Sequence, residues 1–493
     1  MGDDPDHPME PEAEPTLDID RHLKYWKMCL QAPLPNHYLS NEGVRMTLAY
    51  FIVNSIRILT PAPTETTPST SPNPKPPLLP PTEHRRLRQW VLSHQQPGGG
   101  FAPSSTLLSP PTTTPSSGGS AAWEAETGAS EGGTTGTAVA NLPATLFALQ
   151  LLALLADEGE EGAARAFEGV DRVQTLRWLR RLQRGDGSFG EGVSWMPGKG
   201  WFIGGGYDMR YCYIAVAVRW MLRGDVTEGG EGWVEDWDTV GLERYILGSQ
   251  TYDGGFAGSS QEEPHAGYAY CAIAALSLLD RPLTNSTPFH PNKILHSGIR
   301  NMPALLHWLA SRQFVYLEPP PGNPDDTEEE EDEDNFLLPA RLADLSLSPA
   351  AERHVACNGR CNKVADTCYT WWVGAALANL GRRELVDWPA SRRFLLDKMA
   401  HRIGGFSKHP GGPPDVYHGC FGLAALAVMG EPGLAEFDCA LAVPVATVRV
   451  IEKARAALVE AGRGQGAELA KGAVDMGLAM RGAKPAWLST VGW

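Results

Sequence analysis

The chain has 493 residues, and 42% of them are hydrophobic, so there is enough apolar material for a sizeable core. The formal net charge of −16 argues against a nucleic-acid-binding protein, because phosphate contacts need a basic surface. Eight irregularly spaced cysteines do not suggest a disulfide framework and fit a reducing compartment. The acidic N-terminus lacks the features of a signal peptide, and no stretch of sequence is typical of a membrane span. We therefore expect a cytoplasmic protein.

In chain order, the predicted organisation begins with a disordered tail at residues 1–20. A structured domain follows at residues 21–440, and a partly helical extension occupies residues 441–493, where Pro444 can open a helix that runs to Val459. Three segments inside the domain are rich in Pro, Ser, Thr, Gly or acidic residues, so they bury too little apolar surface to offset chain entropy. We expect these insertions, at about residues 61–81, 103–137 and 318–350, to be disordered.

One pattern repeats through the rest of the domain: an aromatic residue, a glutamine five positions later, and then Gly and Phe. Three complete copies begin at Trp90, Trp178 and Tyr245, and in each the Phe follows the aromatic residue by eleven positions. A fourth copy begins at Trp308 and is interrupted by the acidic insertion, and a fifth ends at Phe406. Such periodicity indicates supersecondary units that bury their faces against their neighbours.

Each glycine-rich turn is preceded by a rather polar helix and followed by an apolar one. The apolar segments, at residues 211–222, 268–279, 368–380 and 418–429, are hydrophobic on nearly every side, which predicts a buried inner ring. We therefore predict an all-α fold, an α/α toroid in which about six helix pairs form a closed barrel with an inner and an outer ring. An open helical solenoid is the alternative.

Polar residues at the starts of these inner helices are candidates for a metal site. Asp366 and Cys368 lie two positions apart at one helix start, and His418 lies at the start of the next. A mixed oxygen, sulfur and nitrogen set suits Zn²⁺, and three protein ligands leave the open position of a catalytic site. Each residue also has an ordinary explanation, as a helix N-cap, a buried thiol or a hydrogen-bonded histidine. A less favoured second set consists of His354, Cys357, Cys361 and Cys368.

Cationic and hydrogen-bonding residues occur at the same helix starts, and they are His265, Arg360, Lys363 and Tyr369. Helix N-termini favour anions, so these residues can hold a diphosphate while the apolar helices enclose a hydrocarbon. A solvated basic face is the simpler explanation of any single one of them.

At these residues the sequence resembles the β subunits of protein prenyltransferases, and the resemblance extends from Arg21 to about Met429, interrupted by the insertions. The segments that carry it are GRCNKVADTCYTWW, PDVYHGCFGLAAL and HAGYAYCAIAAL. The resemblance implies one Zn²⁺ per β subunit, held by Asp366, Cys368 and His418. It also implies that Trp372 lines the isoprenoid pocket and that the prenyl diphosphate is held by His265, Arg360, Lys363 and Tyr369.

Further segments resemble the type I geranylgeranyltransferase β subunits in particular. Thr47 stands where farnesyltransferases have a bulky Trp, which implies a longer lipid pocket. Lys408 stands where farnesyltransferases have an Mg²⁺-binding Asp, which implies that Lys408 stabilises the leaving diphosphate and that Mg²⁺ is not required. DMRYCY resembles the type I form of that segment, so Arg210 and Tyr211 are expected to border the peptide substrate. Tyr417 and residues 141–149 depart from the type I pattern.

The resemblance implies the catalytic β subunit of a heterodimer with a prenyltransferase α subunit. It would transfer geranylgeranyl from geranylgeranyl diphosphate to the cysteine of C-terminal Cys-aliphatic-aliphatic-X proteins, with X typically Leu, such as Rho-type small GTPases. A farnesyltransferase β subunit is the nearest alternative. A toroidal terpene cyclase would need an Asp-rich motif, for which Glu235, Asp236 and Asp238 are weak candidates. A non-catalytic helical-repeat scaffold would bind neither zinc nor diphosphate.

Overall fold

A computed structural model describes residues 14–35, 38, 42–61, 79–104, 139–196, 200–283, 292–317 and 354–476 of the chain. For residues 42, 194–196, 200–201 and 463–476 the description is limited to the backbone. Most of the predicted N-terminal tail, and most of the three predicted insertions, lies outside the described residues. The predicted division at residues 21–440 and 441–493 stays a prediction, although the first helix already begins at Ile19.

The described helices alternate between two rings. In chain order, the outer and inner members of the six pairs are α1 (Ile19–Gln31) and α2 (Arg45–Leu59), α3 (Pro81–Leu92) and α4 (Leu142–Leu154), α5 (Arg172–Arg180) and α6 (Met209–Leu222), α7 (Thr239–Gly248) and α8 (Ala266–Asp280), α9 (Met302–Ala310) and α10 (Thr367–Asn379), and α11 (Trp388–Arg393) and α12 (Val416–Met429). Short helices cover Gly159–Ala164 and Lys293–Ser297, and a π-helical turn at Phe394–Met399 extends α11.

The inner helices form a closed ring. Each packs against the next in chain order, from α2 through α4, α6, α8 and α10 to α12, and α12 packs back against α2. That last contact distinguishes a toroid from an open solenoid, so the predicted all-α toroid of six helix pairs is confirmed. Burial follows the prediction too, since most residues of each inner helix are buried on all sides.

The glutamine of the sequence repeat joins neighbouring outer helices. Gln183 donates a hydrogen bond to the backbone carbonyl of Asp238 at 2.8 Å and accepts one from the Asp238 backbone N–H, also at 2.8 Å. Asp238 is the N-cap of α7, so the glutamine fixes where the next outer helix begins. Gln250 does the same for Asn301, the N-cap of α9. The repeat is therefore explained by contacts between successive helix pairs.

The glycine of the repeat allows the turns to approach the neighbouring outer helix. Gly187 has φ +93°, and a Cβ there would lie 2.2 Å from the backbone oxygen of Gly241 in α7. Gly404, with φ +94°, makes the corresponding approach to Arg21 in α1, at 2.6 Å from its backbone oxygen. Since α1 opens the outer ring and Gly404 follows its last helix, the outer layer closes as the inner one does.

Four short antiparallel ladders accompany the helices, a feature that the sequence analysis did not predict. They pair β1 (Gly192–Met196) with β2 (Gly200–Gly204), β3 (Gln313–Val315) with β4 (Val355–Cys357), β5 (Phe406–Ser407) with β6 (Pro414–Asp415), and β7 (Phe437–Asp438) with β8 (Val443–Pro444). The longest has five residues in each strand, and neither GVSWM nor GWFIG shows the strict alternation of apolar and polar residues that signals a strand.

A segment between β7 and β8 crosses the interior of the ring. The backbone carbonyl of Cys439 accepts hydrogen bonds from Tyr270 at 2.8 Å and Asn379 at 3.1 Å, and that of Leu441 accepts one from Gln150 at 2.7 Å. These donors belong to α8, α10 and α4, so the segment is anchored to three of the inner helices. Helix α13 (Val445–Met476) follows and packs outside α4 and α6, which confirms the helix predicted at residues 445–459 and extends it.

Candidate metal and anion site

The starts of three consecutive inner helices meet at one rim of the barrel. Asp366 is the N-cap of α10, and its Oδ1 accepts a hydrogen bond from the backbone N–H of Cys368 at 2.8 Å. The next inner helix begins at Val416 and places His418 in its first turn. One potential ligand atom from each of Asp366, Cys368 and His418 lies within 4.8 Å of the other two. The structure thus assembles the three residues that the sequence predicts as metal ligands.

A carboxylate orients the histidine of this group. Asp415 caps α12 and places Oδ2 at 2.5 Å from Nδ1 of His418, while Nε2 of His418 lies 3.2 Å from Oδ1 of Asp366. Metal-ligating histidines commonly donate their second ring nitrogen to a carboxylate in this way. The donor set and its support therefore fit a zinc ion bound through the Nε2 atom of His418.

The pKa values of the three side chains reflect their close contact. Although burial disfavours its charged form, the hydrogen bonds that His418 donates to Asp366 and Asp415 raise the pKa of His418 to about 9. Burial opposes ionisation of Asp366, yet its contacts with His418 and Cys368 hold its pKa below the ordinary value. Burial and the neighbouring Asp366 raise the pKa of the Cys368 thiol well above its usual range. A divalent cation held by these atoms would compete with the protons of His418 and Cys368, so metal binding is expected to weaken as pH falls.

The second candidate metal set is not assembled. His354 places Nε2 at 2.9 Å from Asp397, and the Sγ atom of Cys361 accepts a hydrogen bond from Arg312 at 3.1 Å. Cys357 is buried behind them in β4. Within the described residues, Asp366, Cys368 and His418 are the one group of three potential metal ligands that converges.

His265 presents a fixed hydrogen-bond donor beside this group. It is the N-cap of α8, and its Nδ1 accepts a hydrogen bond from the backbone N–H of Gly267 at 3.0 Å. Nε2 therefore carries the proton, and it lies 3.0 Å from the hydroxyl of Tyr369. Burial, and next to it the charges of Arg360 and Arg210, lower the pKa of His265 to about 4. At neutral pH the ring is uncharged and its Nε2–H can donate to an anion.

Arg360 and Lys363 lie on a turn that connects β4 to α10. Its backbone is tied to α8 by a hydrogen bond of 2.9 Å from Ala266 to the carbonyl of Gly359, and Asn358 donates to the carbonyl of Lys363 at 3.1 Å. Both cationic side chains are partly exposed, and Arg360 pairs with Glu263 at 3.0 Å. The predicted anion-binding residues thus lie on a braced turn next to the starts of two inner helices.

Lys408 comes from a different part of the chain. The loop that carries it is fixed to the start of α10, because Thr367 donates its backbone N–H to the carbonyl of Lys408 at 3.2 Å and its hydroxyl to that of Ser407 at 2.6 Å. The ammonium is close enough to favour ionisation of Cys368 electrostatically. Lys408 is therefore a neighbour of the candidate metal site, and its expected role at a leaving diphosphate stays a prediction.

The residues expected to border a peptide make contacts within the chain. The guanidinium of Arg210 pairs with both carboxylate oxygens of Asp208, at 3.0 and 2.9 Å from Nε. Tyr211 donates its hydroxyl to Glu191 at 3.2 Å, and burial, followed by the charge of Glu191, raises its pKa to about 12. Both residues lie in the first turn of α6. Their predicted contact with a peptide stays a prediction.

Aromatic side chains from every inner helix line the interior of the ring, and the sequence analysis named only Trp372 among them. The contacting rings have centroids 4.6 to 5.7 Å apart. Tyr50 and Phe147 form one such pair, and a chain of neighbours runs in the order Tyr213, Tyr270, Trp372, Phe421 and Phe51. Phe147, Trp372 and Phe421 remain partly exposed although most of their neighbours are buried, which indicates that they face a central cavity.

Thr47 lies in the first turn of α2, four residues before Phe51 and so on the same helix face. Phe51 contacts the rings of Tyr417 and Phe421, at centroid distances of 5.3 Å for both. Thr47 is partly exposed on that face. Its predicted effect on the length of a lipid pocket stays a prediction.

Comparison with known proteins gives consistent matches. The model of the prenyltransferase alpha-alpha toroid domain matches residues 17–443. The geranylgeranyl transferase type-1 subunit beta of Arabidopsis thaliana is 28% identical over 442 residues, which cover 89% of this chain and 92% of that protein. The corresponding Dictyostelium discoideum subunit is 26% identical, over 85% of this chain and 92% of its own length.

A solved structure, Candida albicans protein geranylgeranyltransferase-I complexed with GGPP, aligns with a TM-score of 0.60 and 22% sequence identity. The alignment covers 89% of this chain and 99% of the other, and at this identity the likeness is one of fold. No helix in the described ranges is both long and apolar enough to span a bilayer.

Proposed function

Because the chain belongs to the prenyltransferase alpha-alpha toroid family, which its match over residues 17–443 establishes, we propose that it is the catalytic β subunit of a zinc-dependent protein geranylgeranyltransferase type I. Family membership confirms the prenyltransferase resemblance and the toroid predicted from the sequence. The proposed reaction transfers geranylgeranyl from geranylgeranyl diphosphate to the cysteine thiol of proteins that end in Cys-aliphatic-aliphatic-X, with X typically Leu. Rho-type small GTPases are the proposed protein substrates.

One observation supports this proposal most strongly. Asp366, Cys368 and His418 converge within 4.8 Å at the rim of a cavity lined by aromatic rings. A metal-ligand group and an apolar cavity suit a reaction between a thiol and a lipid diphosphate. Neither a scaffold nor a terpene cyclase has a use for this mixed oxygen, sulfur and nitrogen group.

Bound zinc would supply the positive charge that keeps the substrate cysteine as a thiolate at neutral pH. Asp366, Cys368 and His418 would hold it, with Asp415 fixing the orientation of the histidine ring. The thiolate sulfur forms a bond to C1 of the lipid while the C1–O bond breaks and diphosphate leaves.

The leaving diphosphate carries the negative charge that develops in this step. We assign its stabilisation to the Nε2–H group of His265, the hydroxyl of Tyr369 and the cationic side chains of Arg360, Lys363 and Lys408. Contacts described above hold the His265 ring, the Tyr369 hydroxyl and the Arg360 side chain, and they brace the backbone that carries Lys363 and Lys408. Preorganised donors stabilise a transition state without a reorganisation cost. With Lys408 in place, we expect turnover that does not require Mg²⁺.

We assign the lipid preference to Thr47, and the binding of the peptide substrate to residues at the rim of the barrel. The partly exposed Thr47, on the same helix face as Phe51, would leave room for a fourth isoprene unit. Arg210 and Tyr211 would border the last residue of the peptide. The names of the Arabidopsis and Dictyostelium relatives, as subunits beta, support a heterodimer with a prenyltransferase α subunit. The cytoplasmic location expected from the sequence stays a prediction.

The nearest alternative is a farnesyltransferase β subunit, favoured by Tyr417 and opposed by Thr47 and Lys408. The terpene cyclase alternative loses its acidic motif. Asp236 is bound by Arg219 and Arg223, at 2.6 and 3.1 Å, on the outside of the inner ring. Glu235 pairs with Arg180, and Asp238 caps α7.

The proposal can be tested by co-expressing the chain with a prenyltransferase α subunit. Geranylgeranyl and farnesyl diphosphate are then each assayed with peptides that end in Leu and in Ser or Met, with and without Mg²⁺. We expect a higher kcat/KM for geranylgeranyl diphosphate with the Leu peptide, and no Mg²⁺ requirement. Preference for farnesyl diphosphate with the Ser or Met peptide would instead support the farnesyltransferase alternative, and no transfer to any peptide would refute both.

A further inference from the structure

Arg312 is a buried cation without a charged partner in the described part of the chain. Its residue is 5% exposed, its Nη1 has no hydrogen-bond partner, and its Nη2 contacts only Ser311 Oγ at 3.3 Å and Cys361 Sγ at 3.1 Å. The remaining contacts are the carbonyl and the ring of Trp308. Burying a charge without a counter-charge is unfavourable, so the guanidinium favours a negative charge on the nearest atom that can carry one.

The nearest such atom is the Sγ atom of Cys361. Of the two neighbouring cysteines, Cys357 and Cys361, it is Cys361 that is exposed. Cys357, four positions earlier, is buried in β4, and burial raises its pKa to about 12, so it stays an unreactive thiol. Cys361 instead lines a surface cavity of about 590 Å³ and receives a hydrogen bond from Arg312. Exposure combined with an adjacent cation is the environment in which cysteine thiols react as nucleophiles.

We propose that Cys361 is a reactive thiol, activated by Arg312, that is oxidised by hydrogen peroxide. The thiolate sulfur attacks one peroxide oxygen, the O–O bond breaks, and the departing hydroxide takes up the proton released by the thiol to form water. Cys361 loses two electrons and becomes a sulfenic acid, while peroxide is reduced. The cavity also presents Asp253, Glu262 and Glu263, and these carboxylates favour a small neutral oxidant over an anionic one.

The modification lies within the turn that carries Arg360 and Lys363. Arg312 supports this turn twice, through its side chain at Cys361 and through its carbonyl, which accepts the backbone N–H of Asn358 at 3.0 Å. An added oxygen on Cys361 separates the sulfur from the guanidinium and shifts the turn. Oxidation is therefore expected to weaken prenyl diphosphate binding, a consequence that rests on the proposed function, whereas the reactivity of Cys361 does not.

The reactivity is tested by alkylating the full-length chain with iodoacetamide at neutral pH and following each cysteine by peptide mass spectrometry. We expect Cys361 to react about tenfold faster in the native chain than in the urea-unfolded chain, an increase that exposure alone cannot produce. With anionic iodoacetate, the native chain should not show this increase in the rate of Cys361 alkylation. Arg312→Gln should slow Cys361 about tenfold and leave the partly exposed Cys29 unchanged. A native rate at or below the unfolded rate would overturn the proposal even if Arg312→Gln does not fold.

The consequence is tested on the heterodimer with a mild peroxide pulse, followed by dithiothreitol. We expect a several-fold higher KM for geranylgeranyl diphosphate, reversal by dithiothreitol, and resistance of Cys361→Ser. Equal sensitivity of the wild type and Cys361→Ser would place the damage elsewhere and refute the effect on binding. Absence of any transferase activity, with Cys361 still reactive in the alkylation experiment, would contradict the proposed function alone.

Discussion

Gly359 lies where two of the proposed diphosphate-binding groups meet, and replacing it with alanine tests their geometry. A Cβ at this position would lie 2.2 Å from Cζ and 2.5 Å from the hydroxyl of Tyr369. Carbon atoms in contact are about 3.5 Å apart, so the ring must move by roughly 1 Å. That movement takes the hydroxyl out of range of His265 Nε2, which now lies at 3.0 Å.

The expected cost of Gly359→Ala has two parts. Losing the bond between Tyr369 and His265 is worth about 1 kcal/mol, which corresponds to roughly a fivefold higher KM for geranylgeranyl diphosphate. Overpacking should lower the free energy of unfolding by about 1–3 kcal/mol. The assays are steady-state kinetics with the heterodimer and urea unfolding of the chain. Zinc content should not change, because Asp366, Cys368 and His418 are not displaced.

Gly206→Ala is the matched control, since a Cβ there meets nothing within 4 Å and the loop lies just before α6. A double-mutant cycle with Tyr369→Ala isolates the clash. If the reasoning is right, Gly359→Ala has little further effect on KM once the ring is gone. An equal effect in both backgrounds would show that the alanine acts through the turn itself and not through Tyr369.

Three further variants test other parts of the structure. Cys368→Ala should lose bound zinc and turnover, whereas Cys29→Ala should keep both; stoichiometric zinc in purified Cys368→Ala, measured by elemental analysis, would contradict the ligand assignment. Thr47→Trp should shift the lipid preference toward farnesyl diphosphate by at least about tenfold, and unchanged preference in a competition assay would refute the role of Thr47. Burial, and next to it Arg21, lower the pKa of His22 from 6.5 to about 4. The unfolded chain therefore binds this proton first, and up to about 3 kcal/mol of stability, present above pH 6.5, is lost as pH falls to 4. His22→Asn should weaken the pH dependence of the free energy of unfolding between pH 6.5 and 4, measured by urea unfolding at a series of pH values. An unchanged pH dependence would argue against this role of His22.

The repeat pattern was sufficient to predict the fold because its residues act between neighbouring units. Gln183 and Gly187 each contact the next outer helix, so their spacing records the distance between successive helix pairs. The apolar inner helices followed from composition alone. Those apolar helices favoured a closed ring over an open solenoid, and the contact that closes it, between α12 and α2, joins two segments far apart in sequence.

What the sequence did not reveal depends on tertiary contacts. The interior segment around Cys439 and Leu441 has no distinctive composition, and its role comes from carbonyl groups that accept hydrogen bonds from Tyr270 and Gln150. Trp372 was the one member of the aromatic lining named from the sequence, because aromatic residues in an apolar helix are also compatible with ordinary core packing. The partial exposure of Phe147 and Phe421 is visible only in three dimensions.

From the sequence alone, Asp366 is explained either as a helix N-cap or as a metal ligand, and the structure shows that the two roles are compatible. Its Oδ1 accepts the Cys368 backbone N–H at 2.8 Å and lies 3.2 Å from His418 Nε2, so one carboxylate caps α10 and reaches the ligand group. His265 likewise caps α8 through Nδ1 and directs Nε2 toward Tyr369. Asp415 caps α12 and orients His418. Because every pair runs from an outer to an inner helix, these caps recur at the inner-helix starts. Capping thus fixes each of these side chains against its helix while the side chain still reaches the site, and His265 and Asp415 do so through their second polar atom.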